Sequence, residues 1–148
     1  MRVVYTGGTF DLFHSGHVNF LRQCKEIAGK DDGWVVVSLN TDEFIKEFKG
    51  KPPVYSYNER KKILESCKYV DQVIKNTGGK DSKVAIEDYR QWTTLNYIVI
   101  GSDWANKDYY AQMGFTQDWL DARNIVLIYV PYTKGISTTE LKKRIQDY

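Results

Sequence analysis

Cysteine, proline and histidine are scarce in this sequence, and long apolar runs are missing from it. The two cysteines, Cys24 and Cys67, lie far apart and form no CxxC pair, so no disulfide framework is expected. Both fall among apolar residues at helical spacing, which points to inert, buried thiols. No stretch approaches the roughly 20 apolar residues needed to cross a bilayer. The N-terminus, MRVVYTGG, enters a strand without the apolar core of a signal peptide, so a cytoplasmic location is expected. An excess of one charge is also lacking. With 21 basic and 19 acidic side chains the net charge is +2, which leaves no basic stripe for a nucleic-acid polymer but allows a local cationic pocket for a small anion. There is no GxGxxG fingerprint, since Gly7, Gly8 and Gly16 are wrongly spaced, and no Walker loop. Internal repeats, linkers and low-complexity segments are absent as well.

What is present fits one globular domain over residues 1–148, with 42% hydrophobic and 27% charged residues placing it outside the disordered class. Arg2–Thr6, Trp34–Leu39, Tyr69–Ile74, Tyr97–Ile100 and Ile125–Val130 read as strands. Helical spacing runs from Gly16 to a stop at Gly29, again over Ser82–Trp92, and in part over 105–124 with a break near Gly114. Ser56-Tyr-Asn-Glu59 and Ser137-Thr-Thr-Glu140 are capping boxes that open two more helices. Asn40 to Tyr55 reads as a polar loop. Uniformly apolar strands alternating with helices predict an α/β fold with a parallel sheet in three layers. Ligands in such sheets bind beyond the carboxyl ends of the strands, which draws attention to Gly7–His17, Gly101–Trp104 and Pro131–Thr139.

Both histidines fall in the first of these segments, as His14-Ser15-Gly16-His17. Residues three apart at a helix start share a face. Free backbone amides and the helix dipole meet them there, and Gly16 permits close approach of a ligand. Two imidazoles, free amides and a dipole make a phosphate site, to which the amides of Thr9 and Phe10 would add. A purely capping role for the histidines is the bland alternative, and a metal triad of Asp11, His14 and His17 is a second. Lys46, Lys49 and Lys51 follow the second strand in a loop stiffened by Pro52-Pro53. A solvated surface is the ordinary reading of such a cluster. Phosphate binding is expected of Lys49 and Lys51, and a surface role of Lys46. Thr133 to Thr139 carries three consecutive hydroxyls behind Gly135, more than a cap requires.

These motifs together resemble the cytidylyltransferase family. Thr9-Phe10-Asp11-Leu12-Phe13-His14-Ser15-Gly16-His17 is similar to its GTFDxxHxGH signature, and YTKGISTT at 132–139 to its RTEGISTT signature. Gly101-Ser102-Asp103-Trp104, Tyr69–Ile74, Asn40–Phe44 and Tyr55–Arg60 follow in matching order. The resemblance implies a Rossmann-like five-stranded parallel sheet, a homodimer, CTP as donor and Mg²⁺ carried on its phosphates. It implies that Thr9, Phe10, His14 and His17 touch CTP, together with Lys51, Gly101, Asp103, Tyr132, Thr133, Gly135, Ile136, Ser137, Thr138 and Thr139. It places Asp11, Lys49, Arg60, Trp104 and Lys83 (or Lys80) toward a small phosphorylated alcohol. Glycerol 3-phosphate is the acceptor expected, ahead of phosphocholine, phosphoethanolamine or a sugar phosphate. Catalysis is expected of His14, His17, Lys49 and Lys51. Tyr132 departs from the signature arginine, and Lys134 stands where the signature has Glu, so Lys134 is expected to restore the charge. The aromatic stretch Tyr109–Trp119 is expected to cover the acceptor or to serve subunit contacts. An adenylyltransferase, a silent nucleotide-binding module and an iron oxygenase are the competing functions.

Overall fold

The computed structural model describes residues 1–102 and 109–148. Five strands, β1 (Val3–Gly8), β2 (Trp34–Leu39), β3 (Gln72–Lys75), β4 (Tyr97–Ser102) and β5 (Val126–Pro131), form one sheet in the order β3-β2-β1-β4-β5. Every pairing is parallel, as the apolar runs predict. Seven helices are seen among the described residues: α1 (Ser15–Ala28), α2 (Asp42–Lys49), α3 (Tyr57–Glu65), α4 (Ser82–Arg90), α5 (Tyr109–Met113), α6 (Gln117–Asp121) and α7 (Thr138–Asp147).

Side chains alternate across the sheet with the period of two that a strand imposes. Val4, Val35 and Val99 face α1, where they pack with Cys24 and Ala28. Val37 and Leu39 meet Leu21 of α1 and Leu64 of α3 on the same side. Val3, Tyr5, Val36, Ile98 and Ile100 turn to the opposite face, under Ile86 and Tyr89 of α4 and Leu120 of α6. The result is a three-layer sandwich with both sheet faces covered. Chain order reverses between β1 and β4, so the crevice at their carboxyl ends is the switch point where such folds bind ligands. No helix of the described residues is long and apolar enough to cross a membrane.

Several expectations need correction. The segment read as a polar loop, 40–55, contains α2. Thr41 caps it by accepting from the Phe44 amide, Asp42 and Glu43 complement its dipole, and Gly50 ends it at φ 80°. The helix is only 8 residues long and buries only Ile45, so its amphipathic signal spans little more than two turns. β4 does not stop at Gly101 but continues to Ser102, because Gly101 and Ser102 pair with Val130 and Pro131 of β5. β3 starts at Gln72, three residues later than the sequence suggests. Cys24 is fully buried, and burial pushes its thiol far above the ordinary range, whereas Cys67 is half-buried beyond the end of α3. The aromatic stretch does not fold over the switch point. Tyr109, Tyr110, Phe115 and Trp119 pack into the core beside α4, and Arg123 lies 4.1 Å over the Trp119 ring.

Candidate active site

Two strands deliver the site. β1 ends in Gly7-Gly8, and the turn to α1 holds two non-glycine residues in the left-handed region, Phe10 at φ 51° and Leu12 at φ 48°. Bulky side chains rarely adopt that conformation, so the turn must be held from outside. It is held at several points. The Asp11 carboxylate accepts from the amides of Leu12 (3.1 Å), Val54 (2.7 Å) and Tyr55 (2.9 Å). Thr138 of α7 donates its hydroxyl to the Asp11 carbonyl at 2.8 Å. Arg60 of α3 donates to the carbonyls of Thr9, Asn40 and Tyr55, and its guanidinium meets Asp42 at 2.6 Å. Phe10 is buried between His17 and Phe20, with ring centroids 5.4 and 6.5 Å away.

The histidines cap the helix that follows. His14 is the N-cap of α1, and its Nδ1 accepts from the Gly16 amide at 3.0 Å. His17 Nδ1 accepts from the His14 amide at 3.1 Å. This is a capping box in which histidine takes both polar positions, and the two rings stack at 3.8 Å. An amide can only donate, so each Nδ1 must be unprotonated and the proton of each neutral ring sits on Nε2. Each Nε2–H is then the ring donor left for a ligand. Burial lowers the His14 pKa from its ordinary 6.5. For His17 burial, joined by the neighbouring His14 charge and opposed by Asp11, lowers it to about 4. Both rings are therefore neutral donors near pH 7.

An imidazole titration by ¹H–¹⁵N correlation should find both rings Nε2-protonated at pH 7 and His17 gaining its second proton only near pH 4. The unfolded chain takes up that proton near pH ~6.5. Stability from the buried neutral ring is thus complete above pH ~6.5 and is lost as pH falls toward 4. A His17 midpoint at the unfolded value would contradict the geometry.

A cavity of about 800 Å³ opens at the switch point. Gly7, Gly8, Thr9 and Phe10 line it from β1 and its turn, and His14, Gly16, His17 and Phe20 from the start of α1. Gly101 and Tyr132 line it above β4 and β5, with Thr133, Gly135, Ile136, Ser137, Thr138 and Glu140 leading into α7. A Cβ at Gly101 would collide with the Tyr132 ring, so only glycine lets that ring lie against β4. A second cavity of about 220 Å³ shares Thr9, Phe10, His17 and Thr138 as a wall. Asp11, Lys49, Lys51 and Lys142 line the rest of it together with Ile45, Pro52 and Pro53.

The structure thus brings together most residues expected from the sequence, but not all. Lys51, expected on the nucleotide, lines the smaller cavity beside Lys49 and not the larger one. Arg60 is fully buried, with four hydrogen bonds to the chain, and lines neither cavity, so it shapes the site from beneath. Asp11 lines the smaller cavity but commits both carboxylate oxygens to amides, so its part is to hold the turn. Lys83 and Lys80 line neither cavity, and the same holds for Thr139, Lys46 and Lys134. Lys134 is exposed between Thr133 and Gly135 and is not itself among the walls of the larger cavity. Ser137 spends its hydroxyl on the cap of α7 and Thr133 accepts from Asn19, so these hydroxyls first build the loop. Asp103 and Trp104 lie outside the described residues. A metal triad of Asp11, His14 and His17 does not form: Asp11 and both Nδ1 atoms are taken by amides, and no group of three metal-binding side chains occurs among the described residues.

Sequence reasoning misses Lys142. Its signal is its position four residues after Thr138, on the same face of a capped helix. It also misses Phe20 and Glu140, which helical spacing from His17 and the cap of α7 would place on the same faces.

Comparison with known proteins agrees with this geometry. A family model described as cytidylyltransferase-like matches residues 5–144. Glycerol-3-phosphate cytidylyltransferase of Bacillus subtilis is 37% identical over 145 residues, covering 98% of each chain. Its counterpart from Staphylococcus aureus is 34% identical over 145 residues, covering 98% of this chain and 96% of that one. The crystal structure of the lipopolysaccharide core biosynthesis protein from Thermoplasma volcanium shares the fold, with a TM-score of 0.65 over 92% of this chain and 99% of the other at 24% identity. The match takes in most of β1, both histidines, the lysine loop and most of α7, and these two relatives share a third or more of their residues with it over nearly their whole length: the chain belongs to the cytidylyltransferase-like family.

Proposed function

We propose that the chain transfers the cytidylyl group of CTP to glycerol 3-phosphate, giving CDP-glycerol and pyrophosphate. The observation that carries this reading is the wall that the two cavities share. A nucleotide-sized cavity with neutral donors meets a small cationic one at Thr9, Phe10, His17 and Thr138. A triphosphate in the first and a phosphorylated alcohol in the second would bring their phosphates together at His17.

A phosphate oxygen of the acceptor attacks the α-phosphorus of CTP, the new P–O–P bridge forms, and the bond to the β-phosphate breaks to release pyrophosphate. The nucleophile is already an anion, so no general base is required. Positioning and stabilisation of charge on the phosphoryl oxygens carry the rate. His14 and His17 donate through Nε2–H, and their tautomers are set before substrate arrives by the amides on Nδ1. Lys49 and Lys51 orient the acceptor phosphate. Mg²⁺, bound through the triphosphate, would supply neutralisation of its charge. The lining fits a metal held by the nucleotide: Asp11 is committed to amides, and Glu140, the carboxylate of the larger cavity, lies 3.5 Å from the Arg144 guanidinium. A homodimer and a cytoplasmic location complete the reading.

The same cavity argues for a glycerol acceptor. A quaternary ammonium calls for an aromatic cage. Among the described residues, Phe10 and His17 are the aromatic rings of the smaller cavity's lining, too few for a cage, and Tyr109, Tyr110, Phe115 and Trp119 are packed elsewhere. Steady-state kcat/KM at fixed CTP and Mg²⁺ should be highest for glycerol 3-phosphate among glycerol 3-phosphate, phosphocholine and phosphoethanolamine. A preference for phosphocholine beyond about tenfold, or ~1.4 kcal/mol in transition-state binding, would overturn the choice.

A further inference from the structure

We propose that Lys142 is the third cation of the acceptor cavity and sets the affinity for the acceptor's phosphate. This rests on the reading of the smaller cavity as the acceptor site. Three ammonium groups line it: Lys49 at the end of α2, Lys51 in the loop beyond, and Lys142 on α7. None of them has an ion-pair or hydrogen-bond partner among the described residues. The cavity's one carboxylate, Asp11, gives its charge to the amides of Leu12, Val54 and Tyr55. Among the described residues, three unpartnered cations against one committed anion leave the cavity electropositive, and a dianionic phosphate is its complement.

The position of Lys142 is set by the fold. Ser137 caps α7, and the Thr138 hydroxyl ties the first turn of that helix to the Asp11 carbonyl. Residue 142 lies one turn further along the same face. Its neighbour Lys143 is exposed and lines neither cavity. Lys142 therefore approaches the phosphate from a different element than Lys49 and Lys51, and completes a clamp that the lysine loop alone cannot close.

Lys142→Gln should raise the acceptor KM about tenfold or more, with kcat and the KM for CTP within about twofold of wild type. Lys142→Arg should recover most of the loss, and Lys143→Gln should change nothing. An acceptor KM within about twofold of wild type, or an equal effect on CTP, overturns the proposal. A second readout separates it from the choice of substrate. Inorganic phosphate should raise the Tm of the wild-type protein and raise that of Lys142→Gln less. If the wild type turns over no phosphorylated alcohol, the proposed function fails while a smaller phosphate-induced shift in the variant still supports the clamp. Absence of any shift in the wild type, or equal shifts in both proteins, overturns it.

Discussion

His14→Asn is expected to lower kcat by about 10²–10³-fold while leaving the Tm almost unchanged. The two effects separate because His14 does two things with two nitrogens. Its Nδ1 caps α1 by accepting from Gly16, and asparagine is among the best N-cap residues, so the helix start survives the exchange. Its Nε2–H is the donor left for the phosphates, and asparagine is too short to put a donor there. His17→Gln makes the same cut at the other end of the box, since glutamine at that position can still accept from the His14 amide. Alanine at either position would remove the cap as well and add a stability loss of about 1 kcal/mol, which blurs the reading. The two rings stack at 3.8 Å and sit in one capping box, so the double variant should lose much less than the product of the single losses. Turnover with CTP and the acceptor, measured beside thermal unfolding, decides it. A fully active His17→Gln protein would exclude that imidazole from the chemistry.

Arg60→Met should destabilise the protein by ~3 kcal/mol or more and should remove most of the activity that survives. Arg60 has no exposed surface, and its guanidinium serves four acceptors: the β1 turn at Thr9, the end of β2 at Asn40, the lysine loop at Tyr55, and Asp42 at 2.6 Å. Removal strands the three carbonyl partners. Asp42 is partly exposed and also accepts from the Tyr57 amide, so water can satisfy it and the pair itself is the smaller part of the loss. The functional loss follows from geometry. Arg60 and Asp11 together hold the segment after Lys51 against the histidine turn, and without them the two cavities lose their common wall. Arg60→Lys should fare little better than methionine, because one ammonium cannot reach acceptors spread across a planar fork. Urea unfolding with kcat/KM on the same preparations tests this. A shift below about 1 kcal/mol with near-normal activity would mean that the turn holds itself.

Where a residue's role depends on its near neighbours in the chain, the amino-acid sequence alone makes it legible. The central strands announce themselves as apolar runs because a parallel sheet is buried on both faces, and Trp34–Leu39 matches to the residue, whereas the edge strand β3, QVIK, is located less exactly. The caps at Ser56 and Ser137 are local chemistry and begin helices where the sequence places them. The histidine turn is also local: two rings three residues apart at a helix start meet whatever the rest of the chain does. Even α2 carries its cap, acidic first turn and terminal glycine, and it escapes a sequence reading because it is only 8 residues long in a charged, lysine-rich segment.

The sequence by itself therefore determined the parallel three-layer fold, the two-histidine helix start and the family. Only the tertiary structure decided which basic residues share a cavity. Arg60 and Lys83 have the composition of ligand contacts, yet one is walled in by backbone carbonyls and the other lies away from both cavities, while Lys142 arrives from the far end of the chain. A cation's partner is set by proximity in space, and that depends on how α3 and α7 dock against the β1 turn. Those dockings are tied by long-range hydrogen bonds, from Arg60 to Thr9 and from Thr138 to Asp11, for which no spacing rule along the chain exists.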